Sequence, residues 1–299
     1  YSGNTINVVI YGNVTDSNGI TLESGSFCNM PNMTKLPMTN RISLKTIPEN
    51  CMNNLISLTS ATTGYVVDVE GCNDMPNLTT LRIENSCENV NGFNDCPKLR
   101  SLSFMGDGKV KEIGGLNNNA IVTFYIPNMA LSVSGVNNCS ALTTVVIGNS
   151  LISFTGFNNC PKLNKFTVNS ANTTFKVIND NLYQGNKLCR VPMNKSDITV
   201  ANGTTEIMSN AIQVTSVNNI SIPNGCTLAN GSIKSKSVGQ IIFHTSFNAE
   251  IGKYNNLTMT DFSTLDNVQV GTIFTYGNGI TDTTNANCLP VVKYCIEHN

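Results

Sequence analysis

One pattern recurs along this chain at intervals near 21 residues, and a fixed period of that length constrains a fold more tightly than any local propensity. GCNDMPNLTTLRI (71 to 83), GFNDCPKLRSLSF (92 to 104), GVNNCSALTTVVI (135 to 147) and GFNNCPKLNKFTV (156 to 168) are copies of one unit, and GLNNNAIVTFYI (115 to 126) is the same unit one residue shorter. With the Cys or Met of the pattern as an anchor, apolar residues follow at +3, +6 and +8, as Leu99, Leu102 and Phe104 follow Cys96. Others precede at -3, -6 and -9, as Phe157, Phe154 and Leu151 precede Cys160. Anchors at Met30, Met52, Met75, Cys96, Asn119, Cys139 and Cys160 lie 22, 23, 21, 23, 20 and 21 residues apart. The template resumes at Val214 and Ser235, 21 apart, and then at Ile251 and Asn267, each 16 residues after the anchor before it.

The stretch from +6 to +8 alternates inward, outward, inward, which is the period of a short strand. Stacking one strand per coil makes a parallel sheet, while the rest of each coil returns on the opposite side. No coil buries both faces alone, so stability comes from its neighbours. Strands are expected at 36 to 38, 58 to 60, 81 to 83, 102 to 104, 124 to 126, 145 to 147, 166 to 168, 198 to 200, 220 to 222, 241 to 243 and 257 to 259, in one sheet.

A chain that turns this often needs turn residues, and 46 of the 299 residues are Asn, whose amide bonds to nearby backbone and which tolerates positive φ. Only 12% of residues are charged, against about 25% in ordinary soluble domains. Lys and Arg number 18 against 19 Asp and Glu, for a net charge of -1; without a cluster of cations, a phosphate-backbone partner is not expected. No apolar stretch approaches the roughly 20 residues that span a bilayer, so no membrane insertion of the mature chain is expected. The chain begins at Tyr1 rather than Met, which reads as a processed product from which a signal or lipid-attachment segment has been removed.

These coils resemble the BspA-like leucine-rich repeats, which follow F-x-x-C-x-x-L-x-x-I-x-I-P. The matching residues are Phe93, Cys96, Leu99, Leu102 and Phe104; Phe157, Cys160, Leu163, Phe166 and Val168; and Ile220, Ile222 and Pro223. TTFKVINDNLYQGNKLCRVP (173 to 192) is similar to the hairpin that the family inserts between coils, with strands at Phe175 to Ile178 and Leu182 to Tyr183, a turn at Asn179 and Asp180, and a return over Lys187 to Val191. The N-terminal coils depart from the family in carrying Met at the anchor, the region around Asn119 carries neither Met nor Cys, and the last two coils are short. The resemblance implies an α/β leucine-rich-repeat solenoid, rich in β structure, with a single parallel sheet and the inserted hairpin. It would span 20 to 275, between an N-terminal cap segment (1 to 19) and a C-terminal cap or tail (276 to 299). It further implies a monomeric, non-enzymatic protein of a bacterial or protist surface, secreted or displayed, that binds a host or neighbouring-cell protein or glycan. The alternative is a structural spacer or stalk of the cell envelope.

Candidate chemistry is sparse. Cys72, Cys87, Cys96, Cys139 and Cys160 fall on inward positions, where a thiol acts as a small apolar group, and the total of 11 is odd, so at least one is unpaired. Cys288 and Cys295, beyond the repeats, are the one pair considered for a bridge. Metal sites need ligands at short fixed spacings, yet there is no CxxC, and the only histidines are His244 and His298; no metal, cofactor or nucleophile-base pair is expected. Ten N-x-S/T sequons track the Asn, Ser and Thr content of the chain. What remains is the outward strip of the sheet. Its +7 column carries Arg82, Ser103, Tyr125, Val146 and Thr167, and its +5 column carries Lys165. Ser and Thr here are ordinary exposed strand residues, or else these six form a weakly charged binding strip anchored by Tyr125.

Overall fold

A computed structural model describes residues 22–36, 43–106, 109–244 and the strand segments 247–248, 253–254 and 269–276. The chain divides into two compact units, Tyr1–Thr173 and Thr174–Asn299.

In the first unit each coil contributes two strands. One ladder joins β1 (Ser43–Ile47), β3 (Tyr65–Val69), β5 (Asn89–Val90), β7 (Glu112–Ile113), β9 (Ser132–Val133) and β11 (Ser153–Phe154), all parallel. The other side carries β2 (Ser60–Thr62), β4 (Thr80–Ile83) and β6 (Ser101–Phe104) as one three-stranded sheet, and β8 (Thr123–Tyr125), β10 (Thr144–Ile147) and β12 (Lys165–Val168) as another. Two expectations are thereby corrected. No helix occurs among the described residues, so the fold is not α/β: the return side is a ladder of mostly two-residue strands. A helix is about 10 Å across, too wide to stack at the 4.7–4.9 Å strand spacing that both sides of these coils keep. The expected single sheet is also wrong, since Leu102 and Val145 lie in different sheets.

Between the two ladders, side chains fill the coil. Leu81, Ile83, Phe93, Cys96 and Leu99 are fully buried, as are Cys139, Leu142, Val145, Ile147 and Phe157. Phe154 stacks on Phe157 at 4.4 Å between ring centroids. The corner before each anchor is built by two polar and backbone columns. The side-chain oxygen of Asn73 accepts from the backbone and side-chain N–H groups of Asn94, that of Asn94 from those of Asn117, and that of Asn117 from those of Asn137, at 2.7–3.1 Å. In the first unit the anchor-preceding residue adopts positive φ, at Asn29, Asn54, Asp74, Asp95, Asn118, Asn138 and Asn159, which is the geometry Asn and Asp tolerate best. Three positions earlier still, Gly115 approaches the backbone of Gly92 so closely that a Cβ would lie 2.6 Å from its carbonyl oxygen.

This asparagine column also corrects one anchor. Asn53 accepts from the N–H of Asn73 at 2.9 Å, so the second coil is anchored at Leu55 rather than Met52, and its strand is β2 at Ser60–Thr62 rather than 58 to 60. Met52, Leu55, Leu58 and Ala61 recur every three residues and are all buried. The apolar pattern is therefore blind to a three-residue slip, and the polar column decides. Residues 37, 38 and 257 to 259, also expected in strands, lie outside the described residues, as do Cys288 and Cys295.

The second unit opens with an antiparallel meander of β13 (Phe175–Ile178), β14 (Asn181–Gln184) and β15 (Lys187–Arg190), with Asn179 and Asp180 at positive φ in the turn. Strand β15 then continues in parallel with β17 (Glu206–Ile207) and β19 (Thr227–Leu228). Opposite runs β16 (Asp197–Thr199), β18 (Ser216–Ile222), β20 (Ser237–His244) and β23 (Gln269–Tyr276), also parallel. Two short strands, β21 (Phe247–Asn248) and β22 (Lys253–Tyr254), pair antiparallel. The core between the ladders includes Tyr183, Leu188, Ile198, Ile207, Ile220 and Ile241.

All nine cysteines among the described residues are free thiols, and eight of them are buried. Burial pushes Cys87 and Cys96 up to about 12 and Cys189 up to about 11, because a thiolate loses its hydration inside the core. Cys139 is raised by a hydrogen bond to Cys160, one coil away, and then by burial. Only the thiolate attacks an alkylating reagent. Among the nine described cysteines, native-state alkylation therefore labels the half-buried Cys28 first and spares Cys96, Cys139 and Cys160, read by mass spectrometry of digested protein. Rapid labelling of those three would reject the inward register.

Candidate binding site

The break between β6 and β8 originates in coil length. From Cys96 to the next anchor, Asn119, the chain takes 23 residues, and from Asn119 to its strand one residue fewer than elsewhere. On the return side the ladder absorbs this without a gap, since Asn89 pairs with Glu112 and Glu112 with Ser132. On the strand side it does not. In regular coils the residue at +4 donates to its counterpart one coil earlier, as Arg100 does to Thr79 at 3.1 Å and Asn164 to Thr143 at 3.0 Å. In the short coil Ala120 donates instead to Leu99, at 3.0 Å. Beyond that bond, no backbone hydrogen bond joins β6 to β8 among the described residues.

The gap leaves a mark on burial. Leu102 and Phe104 hold inward positions but are only half-buried, whereas their counterparts Leu81 and Ile83 on one side and Val145 and Ile147 on the other are fully enclosed. A trough of about 620 Å³ begins at the gap and crosses the C-terminal ends of β6, β8, β10 and β12. Its outward row is Ser103, Tyr125, Val146 and Thr167. Below them lie Leu102, Phe104, Ile126, Ile147 and Val168, and the rim is closed by Gly106, Pro127, Asn128, Gly148 and Asn169. No lining residue is charged.

Of the six residues expected on the strip, the trough collects four. Tyr125, Val146 and Thr167 are consecutive partners across β8, β10 and β12, and Tyr125 is 60% exposed. Ser103 faces them from β6. Arg82 is the neighbour of Ser103 on β4, where its guanidinium donates to Glu84 at 2.8 Å; neither it nor Lys165, at the start of β12, lines the trough. Sequence reasoning missed Leu102 and Phe104 as site residues because their apolar character assigned them to the core. The signal lay in coil length: a long coil followed by a shortened one is where a strand ladder loses register.

Both units are parallel β-solenoids. The structure is similar to that of a leucine-rich repeat protein from Eubacterium ventriosum ATCC 27560, with 13% identity, 73% of both chains covered and a TM-score of 0.48. It is also similar to a leucine rich cell surface protein from Faecalibacterium prausnitzii A2-165, at 15% identity over 96% of this chain and 91% of that one, with a TM-score of 0.46. For the pneumococcal vaccine antigen PcpA the identity is 12%, the coverage 87% and 92%, and the TM-score 0.36. The first two neighbours are bacterial leucine-rich-repeat proteins. No family model and no curated protein matches the sequence.

Elsewhere the solenoids carry little that could do chemistry. Among the described residues no group of three or more His, Cys, Asp or Glu side chains could hold a metal ion, and no helix is long and apolar enough to cross a membrane. Ser221 Oγ lies 2.9 Å from His244 Nε2, a cross-strand pair between β18 and β20 that the sequence did not suggest. The ion pairs Lys111–Glu88 and Lys195–Asp180, both at 2.7 Å, contribute no lining residue to the trough.

Proposed function

We propose that this chain is a non-enzymatic recognition protein, displayed outside the cell, that binds an uncharged protein or glycan surface in the trough across β6, β8, β10 and β12. The observation that carries this reading is the trough itself: about 620 Å³, lined without a charge, with an exposed tyrosine on its outward row. An aromatic side chain held on a rigid sheet supplies contact area at low entropic cost and a polar tip for a hydrogen bond.

The test is a binding screen of the purified chain against protein and glycan arrays, followed by titration of each hit with the Tyr125→Ala variant. Affinity falls by about 1–2 kcal/mol, the usual cost of truncating an interfacial aromatic, while the melting temperature stays put because Tyr125 lies outside the core. Binding weakens little with added salt, since the trough holds no ion pair to screen. A partner that binds the variant undiminished, or releases steeply with salt, moves the site to a charged surface such as the one around Lys187, which pairs with Glu206 at 2.6 Å. The spacer reading draws on the stacked asparagine column, which stiffens the coils; it predicts no partner on either array.

A further inference from the structure

The break in the ladder leaves two strand edges facing one another. At the two ends of β6, Ser101 and, just past it, Met105 donate to Thr79 and Ile83 of the preceding coil, at 3.1 and 2.9 Å. Backbone groups alternate sides along a strand, so the N–H and C=O groups of Leu102 and Phe104 point toward β8. Just past β8, Ile126 donates to Val146 at 2.8 Å, and by the same alternation the backbone groups of Thr123 and Tyr125 point toward β6. None of these four residues has a backbone partner across the gap among the described residues. A row of unpaired backbone groups is the template on which an extended chain adds as a strand.

We propose that the opening between β6 and β8 binds an extended, uncharged peptide segment of a partner protein. Its backbone bonds to the free groups of Leu102 and Phe104 or of Thr123 and Tyr125, and an apolar side chain rests on Leu102 and Phe104. The proposal deepens the reading of the trough as a binding site and rests on it. A peptide is favoured over a glycan because what the gap lacks is an alternating series of amide donors and carbonyl acceptors at strand spacing, which a second peptide backbone supplies and sugar hydroxyls do not. The chemistry of the segment follows from the lining. Apolar residues recur at every second position to meet Leu102 and Phe104, and Asp, Glu, Lys and Arg are absent because nothing in the trough would pair with them.

The experiment selects binders from a random-peptide library on the full chain and measures the synthetic peptides by calorimetry and by amide exchange of the protein. The selected sequences alternate apolar residues, lack charge, and slow exchange at Leu102 or Phe104, or at Thr123 or Tyr125. N-methylation at alternate peptide residues removes a donor and lowers affinity about tenfold per site, whereas methylation at the intervening residues does little. This scan uses the unmodified protein, so it stands even if a Phe104→Lys variant, which should abolish binding, fails to fold. Peptides that bind with a flat N-methylation profile, or a screen in which only glycans bind and lose affinity on Tyr125→Ala, overturn strand addition and leave the trough as the site. Peptides that bind equally to Tyr125→Ala and protect none of the four amides overturn both, and so does a screen in which neither peptide nor glycan binds.

Discussion

Replacing Gly115 by Ala lowers the stability of the first unit by about 3 kcal/mol, the sum of about 1–2 for a side chain in the left-handed region and about 1–3 for overpacking. The residue has φ +66, and an added Cβ would lie 2.6 Å from the carbonyl oxygen of Gly92, in the corner where one coil rests on the next. Neither backbone can retreat, because Leu116 donates to that same carbonyl at 3.1 Å. Gly231 is the matched control. Its φ is also +66, but the nearest atom to a built Cβ is the flexible end of Lys234 at 3.4 Å, so Gly231→Ala keeps the dihedral penalty and loses the clash, for a cost of about 1 kcal/mol. Denaturant unfolding of both variants, followed by probes in each unit, measures the difference. Equal losses would show that the coils are not in contact through this glycine.

The second large effect belongs to the asparagine column. Asn94→Leu removes a side chain that donates to Asn73 at 3.0 Å and accepts from the backbone and side chain of Asn117 at 3.1 and 2.7 Å. It leaves the Asn117 N–H groups without their acceptor in a half-buried corner and takes one of two donors from the Asn73 oxygen, which keeps the Asn94 backbone N–H at 2.9 Å. At about 1–3 kcal/mol for a buried group left unsatisfied, and with the members of the chain polarising one another, the variant loses about 2–3 kcal/mol. Asn94→Asp keeps the acceptor for the Asn117 N–H groups and strengthens those bonds with its charge, but it sets a second oxygen against that of Asn73 in place of the donor, and on balance it loses less. If Asp and Leu cost the same, the column contributes nothing through its acceptors.

The repeat was legible because each coil repeats one apolar pattern, and burying that pattern requires stacking. Strands β4, β6, β10 and β12 lie where the in-out-in triplets of Cys96 and its counterparts put them. The meander of β13, β14 and β15 likewise follows from its own turn residues. Three features were not legible, each for a physical reason. Apolar residues three apart, such as Cys87, Val90 and Phe93, suit one helical turn as well as a tight corner beside a two-residue strand, so the second ladder was hidden. Met52 and Leu55 were interchangeable on apolar grounds, and only the bond from Asn73 to Asn53 separates them. The break at β6 and β8 depends on where the chain's extra and missing residues fall in a coil, a matter of hydrogen-bond register that residue type does not record. The strip was half legible for the same reason. Tyr125, Val146 and Thr167 share a register, while Arg82 and Ser103 belong to another sheet, and only the trough brings Ser103 back to the others.

Residue-resolved amide hydrogen exchange of the intact chain tests most directly whether the ladder opens between β6 and β8. The amides of Ser101, Met105 and Ile126, bonded to the neighbouring strands, exchange slowly along with the rest of β4 and β10, while those of Leu102, Phe104, Thr123 and Tyr125 exchange fast although they lie one residue away. Protection of all seven at one level would mean that β6 and β8 are paired, with no opening to receive a partner.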